Sequence, residues 1–213
     1  AYGGPAAKVE GISDLFKGIE KADSVVVNPH KWLYVPFEAG GALVKNSDHL
    51  RKTFSTIPDY LKSDEQDGGR TDLMEYNLPL TKEFKALKVW MTIKAFGATR
   101  LRKEIASDID KATYLSELVD SDENLELMAP VPLSIVCFRY NPGGIEESAL
   151  NNLNDQLIQE IESDGRVFLT GTKIRGKTAL RVCFINPRTR KEDIQLLKKV
   201  VLEKGGTLVK KNN

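Results

Sequence analysis

The stretch Asp23–Leu33 constrains the fold of this chain more strongly than any other part of the sequence. Val25–Val27 is a run of three β-branched residues, which is typical of a strand that is buried on both faces. Proline cannot continue a central ladder, so Asn28-Pro29 ends this strand. His30 and Lys31 therefore follow the carboxyl end of a strand, which is where ligands bind in open α/β sheets.

Lys31 is followed by the apolar residues Trp32 and Leu33, and apolar surroundings disfavour the charged form of a lysine. An uncharged amine can attack a carbonyl group and form a Schiff base. The alternative is an ordinary loop lysine, whose aliphatic stem lies over Trp32 while its ammonium group stays in water. Position and composition leave both interpretations of this lysine open.

The five residues Asn28-Pro29-His30-Lys31-Trp32 resemble the lysine motif of the group II pyridoxal-phosphate-dependent amino acid decarboxylases. This family includes the enzymes for aromatic amino acids, glutamate, histidine and cysteine sulfinate. Shorter matches follow the family's order, at Ala1–Gly4, Ala22–Ser24, Asp59–Leu61, Leu87–Trp90 and Leu180–Val182. The resemblance implies an α/β, fold type I pyridoxal-phosphate-dependent transferase fold. Residues 1–98 would be the end of the large cofactor-binding domain, and residues 99–213 a small C-terminal α+β domain.

The resemblance also implies roles for the residues around the motif. Lys31 would form the Schiff base with pyridoxal 5'-phosphate, and His30 and Asn28 would lie near the cofactor phosphate. Two alternatives need no ligand: His30 as a turn histidine bonded to the backbone, and Asn28 as a turn former.

Three further residues match family positions at the active site. Phe37 and Gly97 match positions that build the site across a dimer interface, although the residues alone favour ordinary core and a helix cap. Arg181 alternates with Leu180 and Val182 and so faces away from them. An arginine can bind a carboxylate with two hydrogen bonds, and the resemblance to glutamate-type members implies that Arg181 anchors the substrate α-carboxylate. The alternative is an exposed strand arginine.

The polar segment Pro58–Tyr76 has neither helical nor strand periodicity, and such long loops are usually functional or disordered. The resemblance implies a lid that closes over the substrate. Aromatic amino acid decarboxylases carry a loop tyrosine that donates a proton, and counting back from Pro79 places that position on Leu73. Tyr76 is then the candidate proton donor, with Tyr60 at the start of the loop. Without a matched tyrosine, an oxidative or other reaction at the α-carbon stays open.

Periodicity predicts the elements of the first half of the chain. We predict a short helix over Ile12–Lys21 and a strand over Gly40–Val44. Only about a dozen residues separate this strand from Val25–Val27, too few for the usual parallel crossover, so we expect an antiparallel pair. Apolar stripes predict one helix through Phe84–Ile93 and a second through Leu101–Val119, with both stripes in the core.

The second half has the pattern of a compact α+β unit. We predict a helix over Glu146–Ser163 and another through Ile194, Leu197 and Val201. The predicted strands are Leu125–Ala129, Ile135–Tyr140, Val167–Thr170 and Ala179–Ile185, with a turn at Gly176.

Composition excludes several classes of protein. The net charge is +1 with 29% charged residues, which argues against a nucleic-acid partner. No apolar stretch reaches the ~18 residues that a membrane span needs, so we expect no membrane partner. The two cysteines, Cys137 and Cys183, lie in strand-like runs. We predict that both are free thiols and that the protein is in a reducing, cytoplasmic compartment. Only two histidines are present, which argues against a histidine-based metal site.

The resemblance predicts a carboxy-lyase that converts an aromatic or acidic L-amino acid to an amine and carbon dioxide as a homodimer. Alternatives are an aldehyde synthase or carbon–sulfur lyase on the same scaffold, or a catalytically silent fragment that acts in dimerisation. Two strands cannot bury Val25–Val27 on both faces, and the family's ring-stacking histidine and ring-nitrogen aspartate precede the matched segment. We therefore expect an N-terminal half of the same polypeptide as a necessary partner.

Overall fold

The computed structural model describes residues 1–55 and 73–212. It divides into two compact units, Ala1–Ala98 and Thr99–Asn213. The helices are α1 Ser47–Phe54, α2 Lys85–Asp120, α3 Glu147–Asp164 and α4 Lys191–Asn212. The strands are β1 Ser24–Val27, β2 Gly41–Val44, β3 Leu125–Leu127, β4 Ile135–Tyr140, β5 Thr170–Ile174 and β6 Lys177–Cys183. Within the described ranges, none of the helices is both long and apolar enough to span a bilayer.

Strands β1 and β2 of the first unit form an antiparallel pair, which confirms the predicted direction, with Ser24 opposite Val44 and Val27 opposite Gly41. The prediction that Val25–Val27 is buried on both faces is wrong for this chain, because Val26 is 57% exposed. The physical reason is that this sheet has two strands among the described residues, and a two-stranded sheet does not by itself bury apolar side chains on both of its faces.

The predicted helix over Ile12–Lys21 is also wrong. Two short 3-10 turns, Ser13–Phe16 and Ile19–Lys21, occupy this segment, and Gly18 between them has a φ of 97°. Leu15 is 58% exposed, so the predicted apolar face has little to pack against. A short helix without such packing is marginal in water.

Helix α2 contains both helices predicted for this region and leaves helical geometry at Gly97, where φ is 73° and ψ is 153°. A positive φ favours glycine, which has no Cβ to clash with the backbone. The first predicted stripe is not core in the first unit, since its five large members are 42% to 75% exposed: Phe84, Leu87, Trp90, Met91 and Ile93. The second stripe is buried as predicted, at Leu101, Ile105, Ala112, Leu115 and Val119.

The second unit contains a four-stranded antiparallel sheet in the order β3-β4-β6-β5. One cluster of buried side chains joins this sheet to α3, α4 and the C-terminal part of α2. Val136, Phe138 and Leu180 are the fully buried members on the strands. Strand β5 begins where the predicted strand Val167–Thr170 was expected to end, and the turn at Gly176 follows it as predicted.

Two contacts in this core join residues that are distant in sequence. Asn154 is fully buried, and its side chain accepts a hydrogen bond from the Tyr140 amide and donates one to the Tyr140 carbonyl, both at 2.9 Å. Gly205 of α4 lies against the Tyr140 ring so closely that a Cβ there would be 2.7 Å from the ring carbons. The helix therefore approaches β4 to a distance that only glycine permits at this position.

Candidate active site

Lys31 lies in a series of tight turns that starts where β1 ends. Its amide donates to the carbonyl of Asn28 at 2.9 Å, and its own carbonyl accepts from the amide of Tyr34 at 3.3 Å. Trp32 is fully buried, and its ring lies 5.1 Å from that of Tyr2. The buried tryptophan and the turn hydrogen bonds give the Lys31 backbone a defined position at the end of the strand.

The Lys31 side chain is half-buried. Among the described residues, its amine has no hydrogen bond or ion pair with another group. A half-buried lysine whose amine has no protein partner among the described residues is suited to react with a ligand.

The His30 side chain is hydrogen-bonded to the backbone of Ala39. Its Nδ1 lies 2.6 Å from the Ala39 carbonyl oxygen and 3.0 Å from the Ala39 amide nitrogen. One nitrogen cannot donate and accept at once, so the tautomer decides which of the two contacts is the hydrogen bond. Either tautomer holds the ring by Nδ1 and leaves Nε2 for a ligand. The backbone-bonded histidine is therefore present. It can donate to a phosphate through Nε2 in the tautomer in which Nδ1 accepts from the Ala39 amide, because Nε2 then carries the proton.

Asn28 lies close to Gly40 on the loop that leads into β2. The Asn28 amide donates to the Ala1 carbonyl at 2.9 Å, and a Cβ on Gly40 would be 3.2 Å from Oδ1 of Asn28. The absence of a side chain at Gly40 thus leaves room beside the asparagine. A primary amine, an imidazole nitrogen and a side-chain amide on one turn fit a cofactor that carries an aldehyde and a phosphate.

Phe37 extends this group of residues, because its ring packs edge-on to that of His30 with centroids 5.1 Å apart. It is 81% exposed, so the interpretation of Phe37 as ordinary core is wrong. The structure therefore brings together Asn28, His30, Lys31 and Phe37.

Two other predicted site residues of the first unit lie away from this turn. Gly97 is at the interruption of α2, and half-buried Tyr76 ends the 3-10 turn Leu73–Tyr76. Among the described residues, neither has a hydrogen bond or ring contact with the Lys31 turn. The rest of the predicted lid, including Tyr60, lies outside the described residues.

The conserved domain of the pyridoxal-dependent decarboxylases matches residues 1–141 of this chain. The chain belongs to this family. The matched residues include the whole first unit and the turn that carries Lys31. The solved structures of its members confirm the predicted α/β, fold type I architecture.

The members that resemble this chain include enzymes with two kinds of product. The chain is 36% identical to the aromatic-L-amino-acid decarboxylase of Bacillus atrophaeus over 94% of its own length and 42% of that protein. It is 32% identical to the phenylacetaldehyde synthase of Arabidopsis thaliana over 99% of its length and 43% of that protein. Oryza sativa TDC, solved with PLP and tryptamine, matches with a TM-score of 0.90 at 25% identity, covering 98% of this chain and 44% of that one. The chain therefore spans less than half the length of these relatives.

Arg181 is the one predicted site residue of this family member that lies in the second unit. It stands opposite Cys137 on β4 and Thr170 on β5, and its half-buried side chain faces away from fully buried Leu180. Burial raises the pKa of the Cys137 thiol, while the charge of Arg181 acts in the opposite direction. The guanidinium and the thiol are therefore close to each other on one face of the sheet.

Sequence reasoning missed the contacts of Glu38. Its carboxylate forms an ion pair with Lys85 of α2, and its backbone carbonyl accepts a hydrogen bond from Lys88 at 3.2 Å. No local pattern marks these residues, because the partners are 47 and 50 positions apart in sequence.

Proposed function

We propose that this chain contributes the lysine half of the active site of a pyridoxal-phosphate-dependent L-amino acid decarboxylase. The observation that carries the proposal is the turn at Lys31. Lys31 lies in the turns that follow β1, and its amine has no protein partner among the described residues. The neighbouring His30 is hydrogen-bonded to the backbone of Ala39. The decarboxylase relatives support this choice of reaction.

When bound, pyridoxal phosphate accepts the electron pair that is released as the substrate carboxylate leaves as carbon dioxide. The residues of this chain orient the reactants. Lys31 would hold the cofactor aldehyde through its amine, and Nε2 of His30 and the amide of Asn28 would bind the phosphate. Phe37, exposed beside His30, would contact the apolar part of the substrate.

Two residues are proposed to act on the substrate itself. Arg181 would bind the α-carboxylate with its planar guanidinium, whose geometry matches that of a carboxylate. Tyr76 would donate the proton that replaces carbon dioxide on the α-carbon. Gly97, where α2 is interrupted, would belong to the wall of the site that a second subunit completes.

We propose that the activity belongs to a protein of the relatives' full length, assembled as a homodimer. The relatives are more than twice as long as their matched part, and in a protein of that length the further segments would complete the site. Exposed apolar side chains in the first unit, such as Val26 and Trp90, support burial against further parts of such an assembly. The similarity to an aromatic-L-amino-acid decarboxylase favours an aromatic substrate over an acidic one.

A reducing, cytoplasmic location is part of the same proposal. It is supported by Cys137 and Cys183, neither of which is in a disulfide. Burial raises the pKa of the Cys137 thiol, so this residue is less reactive towards oxidants than an exposed thiolate.

A second candidate is aldehyde synthesis from the same amino acids. It is supported by the similarity to a phenylacetaldehyde synthase over almost the whole chain and by the leucine, Leu73, at the position inferred for the loop tyrosine. The structure of the rest of that loop lies outside the described residues.

Borohydride trapping in the full-length protein tests the assignment of Lys31. Reduction should fix a pyridoxyl group on the peptide that carries Lys31, as determined by mass spectrometry. Lys31→Ala should lose both the adduct and the turnover, because the cofactor is then no longer attached. Lys45→Ala, a change to an exposed lysine of the same unit, should retain both. An adduct on another lysine would refute the assignment.

A product screen separates the two reactions. The protein should be incubated with aromatic and acidic L-amino acids while carbon dioxide, amine, aldehyde, ammonia and hydrogen peroxide are measured. Decarboxylation gives amine in the same molar amount as carbon dioxide. Aldehyde with ammonia and peroxide would establish the second candidate, and no carbon dioxide from any substrate would contradict both.

A further inference from the structure

Glu38 connects the loop after the Lys31 turn to helix α2 within the first unit. Its carboxylate accepts a hydrogen bond from Lys85 Nζ, and its carbonyl oxygen accepts one from Lys88 Nζ at 3.2 Å. Lys85 and Lys88 are three residues apart on the helix, so their side chains extend from the same face. We refer to Glu38, Lys85 and Lys88 together as the Glu38 latch.

The residues on either side of Glu38 contact His30. Phe37 packs edge-on to the imidazole at 5.1 Å, and Ala39 binds Nδ1 through its backbone. The His30 amide also donates to the Ala39 carbonyl at 3.4 Å. Three consecutive residues are thus held between the helix on one side and the residue before Lys31 on the other.

We propose that the Glu38 latch is a positioning device for Lys31, which holds Ala39 in place and through it fixes His30 and the lysine turn. The inference rests on the proposed function, because a fixed amine matters only if Lys31 receives the cofactor. The proposal adds two lysines of α2, Lys85 and Lys88, to the residues that position the Lys31 turn. None of the three latch residues needs to touch the reacting atoms.

The exposure of the latch separates this role from a contribution to overall stability. The side chain of Lys85 is 36% exposed and that of Glu38 is 54% exposed, and ion pairs in such positions contribute little to stability. Loss of the pair should therefore leave the protein folded while it frees the segment around Ala39. The hydrogen bond and charge of Lys85 lower the pKa of Glu38, and the same hydrogen bond raises the pKa of Lys85, so both groups stay charged near neutral pH.

Four variants of the full-length protein test the latch. Glu38→Gln and Lys85→Met remove the ion pair, and Lys85→Arg keeps it as a conservative replacement. Asp14→Asn removes a different exposed ion pair of the same unit, between Asp14 and Lys17, and is the matched control. Amide hydrogen exchange of the Ala39 peptide without cofactor and the rate of pyridoxyl trapping at Lys31 are the two readouts.

Glu38→Gln and Lys85→Met should each lower the protection of the Ala39 amide and the trapping rate by about threefold, the effect expected for an exposed pair. Lys85→Arg should retain the protection and the trapping rate of the unmodified protein, and Asp14→Asn should change neither. Unchanged protection in Glu38→Gln, or an equal loss in Asp14→Asn, would overturn the latch. Reduced protection with an unchanged trapping rate would overturn its positioning role.

The two proposals fail in different ways in this experiment. If the unmodified protein gives no adduct on Lys31, the proposed function is wrong, and with it the positioning role. Hydrogen exchange at Ala39 needs no cofactor and still decides whether the latch holds the segment.

Discussion

The contact between Tyr140 and helix α4 leads to opposite predictions for two neighbouring glycines. Gly205 and Gly206 are consecutive residues in the same helix, so glycine-to-alanine changes at the two positions share the same helix-propensity effect. A Cβ at Gly205 would lie 2.7 Å from ring carbons of Tyr140, whereas a Cβ at Gly206 would approach only the Tyr140 hydroxyl, at 3.9 Å. The difference between the two variants therefore isolates the steric contact with the ring.

The expected magnitudes follow from these distances. Replacing a helical glycine by alanine stabilises by about 0.5–1 kcal/mol, and Gly206→Ala should show this gain. At Gly205 the added methyl group meets the ring of Tyr140, a residue that is 6% exposed. The amide and the carbonyl of Tyr140 are both hydrogen-bonded to Asn154. Overpacking of this kind costs about 1–3 kcal/mol. Gly205→Ala should therefore be less stable than Gly206→Ala by about 1–3 kcal/mol.

Urea unfolding of the full-length protein, followed by far-ultraviolet circular dichroism, measures the effect. Gly206→Ala should raise the urea midpoint, and Gly205→Ala should lower it. In a Tyr140→Leu background the clash is absent, so Gly205→Ala should lose its destabilising effect, which a double-mutant cycle quantifies. If Gly205→Ala raised the midpoint as much as Gly206→Ala, the close packing of α4 on Tyr140 would be refuted.

Two further predictions concern the second unit. Asn154→Leu should lower the free energy of unfolding by about 2–4 kcal/mol, because the amide and carbonyl of Tyr140 lose their partner in the core. The control Asn152→Leu changes an exposed residue of the same helix and should leave the free energy of unfolding almost unchanged. Equal effects of the two variants would contradict the buried hydrogen bonds. The hydrogen bond from Arg166 lowers the pKa of Asp164 well below its usual range. The ionised Asp164 carboxylate therefore stabilises the folded state above the unfolded-state pKa of about 3.9, and this stabilisation is lost as the pH falls. Asp164→Asn should therefore flatten the loss of stability below about pH 4, and an unchanged pH dependence would contradict this assignment.

Local sequence patterns were most informative where a core lies next to the element they describe. In the second unit, β4 has the predicted bounds Ile135–Tyr140, and α3 begins one residue after the predicted start. In the first unit, the same reasoning failed for the helix over Ile12–Lys21 and for burial of the stripe from Phe84 to Ile93. Periodicity reports which face of an element is apolar, but burial of that face depends on neighbours that the pattern does not contain.

The sequence by itself determined the candidate site at Lys31 and the family that it implies. Chain order alone places His30 and Lys31 after a strand that Pro29 must end, since proline lacks the amide that a ladder needs. Only the tertiary structure decided what holds this turn and what sets the packing of the second core. The Glu38 latch and the contact of Gly205 with Tyr140 join residues that no local period relates, because such contacts depend on the path of the whole chain between the two partners.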